Sequence, residues 1–186
     1  MSKIFVISAP SGTGKGTVIK EILKRNESIY FSVSMTTRAM RNGEQAGVDY
    51  HYVSKEEFLN KLDEGKILEY TEFCGNYYGT PLDILQEKLK EGRNCILELD
   101  VIGAENVKKT HPDMVSIFMA PPSIEILEKR LRGRGTESEE DVKKRLAEAE
   151  RELDEQSKFD YVVINDDLMK AVLDIEKIIK EEVEEK

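Results

Sequence analysis

Ala9-Pro10-Ser11-Gly12-Thr13-Gly14-Lys15-Gly16-Thr17 is the stretch on which the reading of the fold turns. Before it, Lys3-Ile4-Phe5-Val6-Ile7-Ser8 is an apolar run of strand length, and after it Val18-Ile19-Lys20-Glu21-Ile22-Leu23-Lys24 has the spacing of a helix. A strand, a glycine-rich turn and a helix with Gly-Lys at its mouth form the pattern of a phosphate-binding loop. The first N–H groups of a helix have no partner inside it, and the aligned peptide dipoles leave that end positive. Glycines let the chain curl until several N–H groups converge on one anion. Lys15 adds a full positive charge near the outer phosphates. The bland alternative is a glycine turn that only caps a helix, and the strand and helix on either side favour the anion site.

Two positions depart from the usual pattern, which opens with Gly and closes with Gly-Lys-Ser/Thr. Here Ala9 stands first, Gly16 follows Lys15, and the hydroxyl arrives one place later at Thr17. The closing hydroxyl ordinarily helps to hold Mg²⁺. The metal's protein ligand is therefore open between Thr17 and a bridging water. The Gly-Lys-Gly-Thr form resembles the loops of nucleoside monophosphate kinases.

The 186 residues suit one domain, or one core with small inserts. An apolar fraction of 39% beside a charged fraction of 35% describes a highly charged surface. A net charge of −9 argues against a general nucleic-acid or membrane binder. It does not exclude an anionic small ligand held by local arginines. No run approaches the ~20 apolar residues of a membrane span, and the N-terminus enters a strand directly, with no signal core. Cys74 and Cys95 lie in different segments and fit a reduced, cytoplasmic setting. With no CxxC spacing and with His51 and His111 isolated, a structural zinc site is not expected.

Strand-like and helix-like segments alternate along the chain. Asn94–Asp100, Met114–Met119, Tyr161–Ile164 and Phe31–Ser34 read as further strands, with helical patterns at Leu82–Leu89, Ile124–Leu131 and Leu168–Ile179. Such alternation implies an α/β fold, a parallel sheet flanked by helices on both faces, with ligands outside the carboxyl ends of its strands. Two stretches break the pattern. Between Ser34 and Pro81, Tyr50–Val53 and Ile67–Phe73 read as short antiparallel strands around a helix at Lys55–Leu62, a candidate inserted lobe. Arg130-Leu131-Arg132-Gly133-Arg134-Gly135-Thr136 then interrupts two helices with glycines and arginines and reads as a lid. Thr136 and Glu139 are expected to box the start of the next helix.

Thr36-Thr37-Arg38-Ala39-Met40-Arg41-Asn42-Gly43-Glu44-Gln45-Ala46-Gly47-Val48-Asp49-Tyr50-His51-Tyr52 resembles the signature of the guanylate kinase family. The likeness extends to the loop, Gly75-Asn76-Tyr77-Tyr78-Gly79, Glu98-Leu99-Asp100, Pro121-Pro122-Ser123, the arginine-rich lid and Asn165-Asp166-Asp167. It implies a P-loop nucleoside monophosphate kinase fold that transfers the γ-phosphoryl group of Mg·ATP to GMP, giving ADP and GDP, in purine nucleotide metabolism. It divides the chain into a core (1–33, 82–125, 157–186), a mixed α/β GMP-binding lobe (34–81) and a lid (126–156).

The resemblance places ATP on Ala9 to Thr17, with Asn165 near its base, and the GMP phosphate on Arg38, Arg41, Tyr50 and Tyr78. Planar guanidinium forks suit a phosphate dianion. Guanine presents two adjacent donors and one acceptor, so a carboxylate and hydroxyls read it. Glu69 is the implied carboxylate, Ser34 and Thr80 the partners of O6, and Asp100 a second acceptor. Glu98 and Asp100 share a face, so either is also open to orient water on Mg²⁺. Lys15, Arg38, Arg130, Arg134 and Arg145 are implied around the migrating phosphoryl group, where transfer is chiefly positioning and charge neutralisation. Two rival readings are a peptide-binding scaffold on the same fold and a kinase for another monophosphate. The intact loop and lid arginines oppose the first, and Glu69 with Ser34 and Thr80 opposes AMP as acceptor. Oligomeric state is not legible.

Overall fold

The structure, a computed structural model, describes residues 2–133 and 138–184. In chain order its elements are β1 (Ile4–Ser8), α1 (Lys15–Arg25), β2 (Tyr30–Phe31), β3 (Met35–Thr36), β4 (His51–Tyr52), α2 (Lys55–Asp63), β5 (Ile67–Phe73) and β6 (Asn76–Pro81). There follow α3 (Leu82–Lys90), β7 (Cys95–Glu98), α4 (Val101–Thr110), β8 (Val115–Ala120), α5 (Ile124–Arg132), α6 (Glu139–Asp154), β9 (Tyr161–Ile164) and α7 (Leu168–Glu184).

β1 is wholly buried because it is central and covered on both faces. Its side chains alternate: Phe5 and Ile7 pack with Val18, Ile19 and Ile22 of α1 and Val172 and Ile175 of α7. Ile4 and Val6 pack on the opposite face with Leu85 of α3 and Val107 of α4. The sheet order is β2-β7-β1-β8-β9, and every neighbouring pair is parallel. The carboxyl ends of β1 and β7 therefore open on one side, where the loop, Glu98 and Asp100 emerge.

The lobe is a second sheet, ordered β4-β3-β6-β5. The antiparallel expectation for its strands holds for only part of it. β4 runs parallel to β3 and does not pair with β5. The antiparallel partner of β5 is β6, whose glycine and proline concealed it as a strand. Cys74 and Gly75 join the two with positive φ of 50° and 74°, the backbone of a two-residue type I′ hairpin. Met35, Phe58 and Ile67 form the lobe's own small core.

α5 and α6, the helices of the expected lid, pack through Leu127, Leu131, Val142 and Ala149. Ser138 begins α6, accepting from the Asp141 N–H and donating to its carboxylate. This side-chain cap stands two residues beyond the expected Thr136 box, and Thr136 and Arg134 lie outside the described residues. Asp167 starts α7 by accepting from the Lys170 N–H at 2.8 Å.

Candidate active site

Gly14, at φ 94°, ends the loop in the left-handed region and caps α1, so Lys15 is the first helical residue. Its ammonium donates to the Leu99 carbonyl at 3.1 Å and stands 3.8 Å from Glu98 Oε1. Burial lowers the Lys15 pKa, opposed by the charges of Glu98, Glu152 and Asp100. A lysine so withdrawn from water gains most from an anion that restores its lost solvation.

That anion has room. A cavity of 580 Å³ is lined by Ser11, Gly12, Gly14, Lys15, Gly16 and Thr17 on one side and by Glu98, Asp100 and Arg145 on others. Arg145 reaches in from α6 and donates to Ser11 Oγ at 3.2 Å. Glu148 and Glu152 of the same helix also line it. Burial raises the Glu152 pKa to about 7, with repulsion from Glu148 adding to the rise and Lys15 opposing it.

A cavity of 500 Å³ shares Lys15, Gly16, Glu98 and Asp100 with the first and extends to Ser34 and Tyr50. A third, of 170 Å³, lies between Ser34, Tyr50, Glu69, Tyr78, Glu98 and Asp100. Behind its lining the buried Thr80 hydroxyl donates to Glu69 Oε1 at 2.7 Å, while burial pushes the Glu69 pKa up. Asp100 caps α4, its Oδ1 accepting from the Gly103 N–H at 2.6 Å. A Cβ on Gly103 would stand 3.2 Å from that oxygen and 3.3 Å from Glu69 Oε2. α4 thus meets β5 at a bare backbone turn, and both carboxylates border it.

Tyr50 and Tyr78 meet edge to face at 5.9 Å between ring centres. Arg38 lies over the Tyr50 ring at 5.4 Å and holds Glu44 with both arms, at 3.0 and 2.7 Å. Glu44 also accepts from the Arg41 N–H and the Tyr52 hydroxyl, each at 2.8 Å. Arg38 lowers the Glu44 pKa to about 2. Burial and then Glu44 push Tyr52 up to about 12.

Ser34, Tyr50, Glu69, Tyr78, Thr80 and Asp100 are thereby gathered at one end of the cleft, and the loop with Lys15 and Arg145 at the other. Arg38 borders Tyr50 directly, and Arg41 is exposed beside it; neither lines the three cavities. Thr13 is fully buried with its hydroxyl unpartnered, and faces away from the cavity that its neighbours line. Arg130 and Asn165 stand behind the loop. Both bond the inner side of the loop, through the Thr13 carbonyl, and neither lines the cavity. Sequence reading assigned no role to Glu44, Glu148 or Glu152. The first stood within the signature as an unassigned acid, and the other two follow Arg145 at three and seven residues, one face of a helix.

Among the described residues, no three or more His, Cys, Asp or Glu side chains gather as a metal cage. The hydroxyl of Thr17 and the carboxylates of Glu98 and Asp100 do line the loop cavity. Hard oxygen donors of this kind suit Mg²⁺, which keeps several waters and takes its remaining ligands from phosphates. Among the described residues, no helix is long and apolar enough to cross a membrane.

Comparison with known proteins converges on one family. A family model described as guanylate kinase matches residues 1–182. The chain is 46% identical to a guanylate kinase of Synechocystis sp., covering 97% of this chain and 94% of that protein. It is 48% identical to a guanylate kinase of Prochlorococcus marinus, over 95% of this chain and 96% of the relative. The crystal structure of guanylate kinase from Anaplasma phagocytophilum superposes with a TM-score of 0.77 at 36% identity, covering 97% of this chain and 86% of that one.

Proposed function

The chain belongs to the guanylate kinase family, and on that premise we propose that phosphoryl transfer takes place in the continuous cleft between the loop after β1 and the lobe sheet. The chain is an ATP:GMP phosphotransferase, producing ADP and GDP. The observation that carries the residue assignment is continuity. Lys15, Glu98 and Asp100 border the loop cavity and the middle cavity, and Ser34, Tyr50, Glu98 and Asp100 border the middle and lobe cavities. Two phosphorylated nucleotides seated at the two ends meet head to head in the middle.

In this reading the loop amides and Lys15 hold the ATP phosphates, and Arg145 approaches them from α6. Mg²⁺ supplies charge neutralisation between phosphate oxygens when bound, with Thr17 or water held by Glu98 or Asp100 as its protein-side support. Tyr50, Tyr78, Arg38 and Arg41 receive the GMP phosphate. Glu69 accepts from the guanine N1–H and N2–H groups, and Ser34 and Thr80 face O6. The acceptor is already a phosphate oxygen, so no general base is required; the chain's task is alignment, charge neutralisation and exclusion of water by the lid. The setting is cytoplasmic, in purine nucleotide metabolism.

The test is base selectivity. With Mg·ATP, ADP should form rapidly on adding GMP and far more slowly with AMP, CMP or UMP. Glu69→Gln replaces one acceptor by a donor, and each buried unpaired group costs about 1–3 kcal/mol. The kcat/KM for GMP should fall about tenfold to a hundredfold, with the ATP KM unchanged. Equal turnover of AMP and GMP by the unaltered protein would overturn the assignment.

A further inference from the structure

The carbonyl of Thr13 is held from two directions. Asn165 Nδ2 donates to it at 2.7 Å and Arg130 Nη1 at 3.3 Å. The two donors are themselves joined, because Arg130 Nη2 donates to the Asn165 carbonyl at 3.0 Å. Asn165 is 6% exposed, and its N–H continues the β8–β9 ladder to the Ala120 carbonyl at 2.8 Å. Its amide is therefore fixed to the central sheet. Its contact with the loop is close: a Cβ on Gly14 would stand 3.0 Å from Asn165 Nδ2.

A trans peptide is planar, so its C=O and N–H point in opposite directions. The bond from Thr13 to Gly14 is trans. Drawing the Thr13 oxygen back toward Asn165 turns the Gly14 N–H forward, to the side where Gly14 lines the cavity and Thr13 does not. No hydrogen bond among the described residues occupies that N–H.

We propose that Asn165 is a positioning residue for phosphoryl transfer: by holding the Thr13 carbonyl it aims the Gly14 N–H at the phosphates of ATP. This differs from a contact with the ATP base, and it rests on the loop being the phosphate seat. With Asn165 absent, the 13–14 peptide loses its strongest inward partner. Rotation of that peptide presents a carbonyl oxygen to the anion where a donor had stood.

Inorganic tripolyphosphate has the phosphates of ATP and no base, and its magnesium complex is the probe, with binding followed by calorimetry. Asn165→Leu keeps the size and removes the donor. It should weaken tripolyphosphate and ATP alike, each by about tenfold, the equivalent of one net hydrogen bond. Asn165→Asp supplies a donor only when protonated. Its carboxylate, beside the Arg130 guanidinium, stays ionised at neutral pH, so it should weaken tripolyphosphate and ATP at least as much as Asn165→Leu while GMP affinity stays unchanged, which a general loss of packing would not do. If Asn165→Leu does not fold, the aspartate variant carries the test alone. Loss of ATP affinity with tripolyphosphate unchanged would assign Asn165 to the base and overturn the proposal, as would an aspartate variant that binds tripolyphosphate as tightly as the unaltered protein. Failure of the unaltered protein to bind tripolyphosphate while binding ATP would overturn the phosphate seat itself, and the proposal with it.

Discussion

Glu152→Gln should stabilise the protein at alkaline pH and not at acid pH. Glu152 projects from α6 into the loop cavity, where burial holds its pKa at about 7 against an ordinary 4.5. A carboxyl that binds its proton more tightly when folded favours the fold fully below its unfolded pKa. That contribution is lost as the pH rises through the folded value. The distance from 4.5 to about 7, at about 1.36 kcal/mol for each pH unit, sets a ceiling of about 3.4 kcal/mol. The side chain is only half-buried, and solvent screening brings this to about 1–2 kcal/mol. The attraction of Lys15 is already within that figure, since it opposes the rise. Glutamine has the same shape and no charge. Urea unfolding of both proteins at pH 5 and pH 8 should show a glutamine advantage that grows by about 1–2 kcal/mol between the two. An advantage that stays constant with pH, or that shrinks as pH rises, would refute the reasoning.

Glu44→Gln should release Arg38 from its doubly bonded carboxylate. Because Arg38 depresses the Glu44 pKa to about 2, the pair contributes above the ordinary carboxylate range and is lost as pH falls toward 2. Urea midpoints of the two proteins should therefore differ at pH 7 and converge as the pH falls from about 4.5 toward 2, since only the unaltered protein loses this contribution on protonation; a difference that does not shrink would contradict the pairing. Cys74→Asn should stabilise the β5–β6 hairpin by about 0.5 kcal/mol, since φ 50° at Cys74 suits asparagine in a type I′ turn; a lowered melting temperature would contradict this. Gly79→Ala should destabilise the protein by about 1–3 kcal/mol. Its Cβ would stand 2.9 Å from the Glu69 carbonyl and 3.0 Å from Phe58, a clash that thermal melting would reveal.

The first strand, its loop and α1 were legible because a period change and glycine spacing mark them locally. The lobe was less so. β3 and β4 are two residues each, too short for any period to register, and β6 carries Gly79 and Pro81, which read as punctuation. Its hairpin turns on Cys-Gly in place of the Asn-Gly that announces a type I′ turn. Ser34, Glu69, Thr80 and Asp100, which only the family resemblance marks as partners for guanine, are gathered by the structure at one end of the cleft. The grip of Asn165 on Thr13 spans 152 residues and leaves no local trace. Arg130 shows the limit of composition: a run of arginines announces positive charge, and only the fold reveals that this one is spent on carbonyl oxygens.

The carboxylate of Glu44 occupies both arms of Arg38 before any nucleotide arrives. If Arg38 receives the GMP phosphate as proposed, that phosphate enters by exchange with a resident anion. Singly charged intruders such as chloride or acetate bring no more charge than the carboxylate they must evict and gain nothing by the trade. On the proposed assignment a dianion does gain, and the resident acid would work as a threshold that admits doubly charged guests and turns away the commoner ions of the surrounding solution.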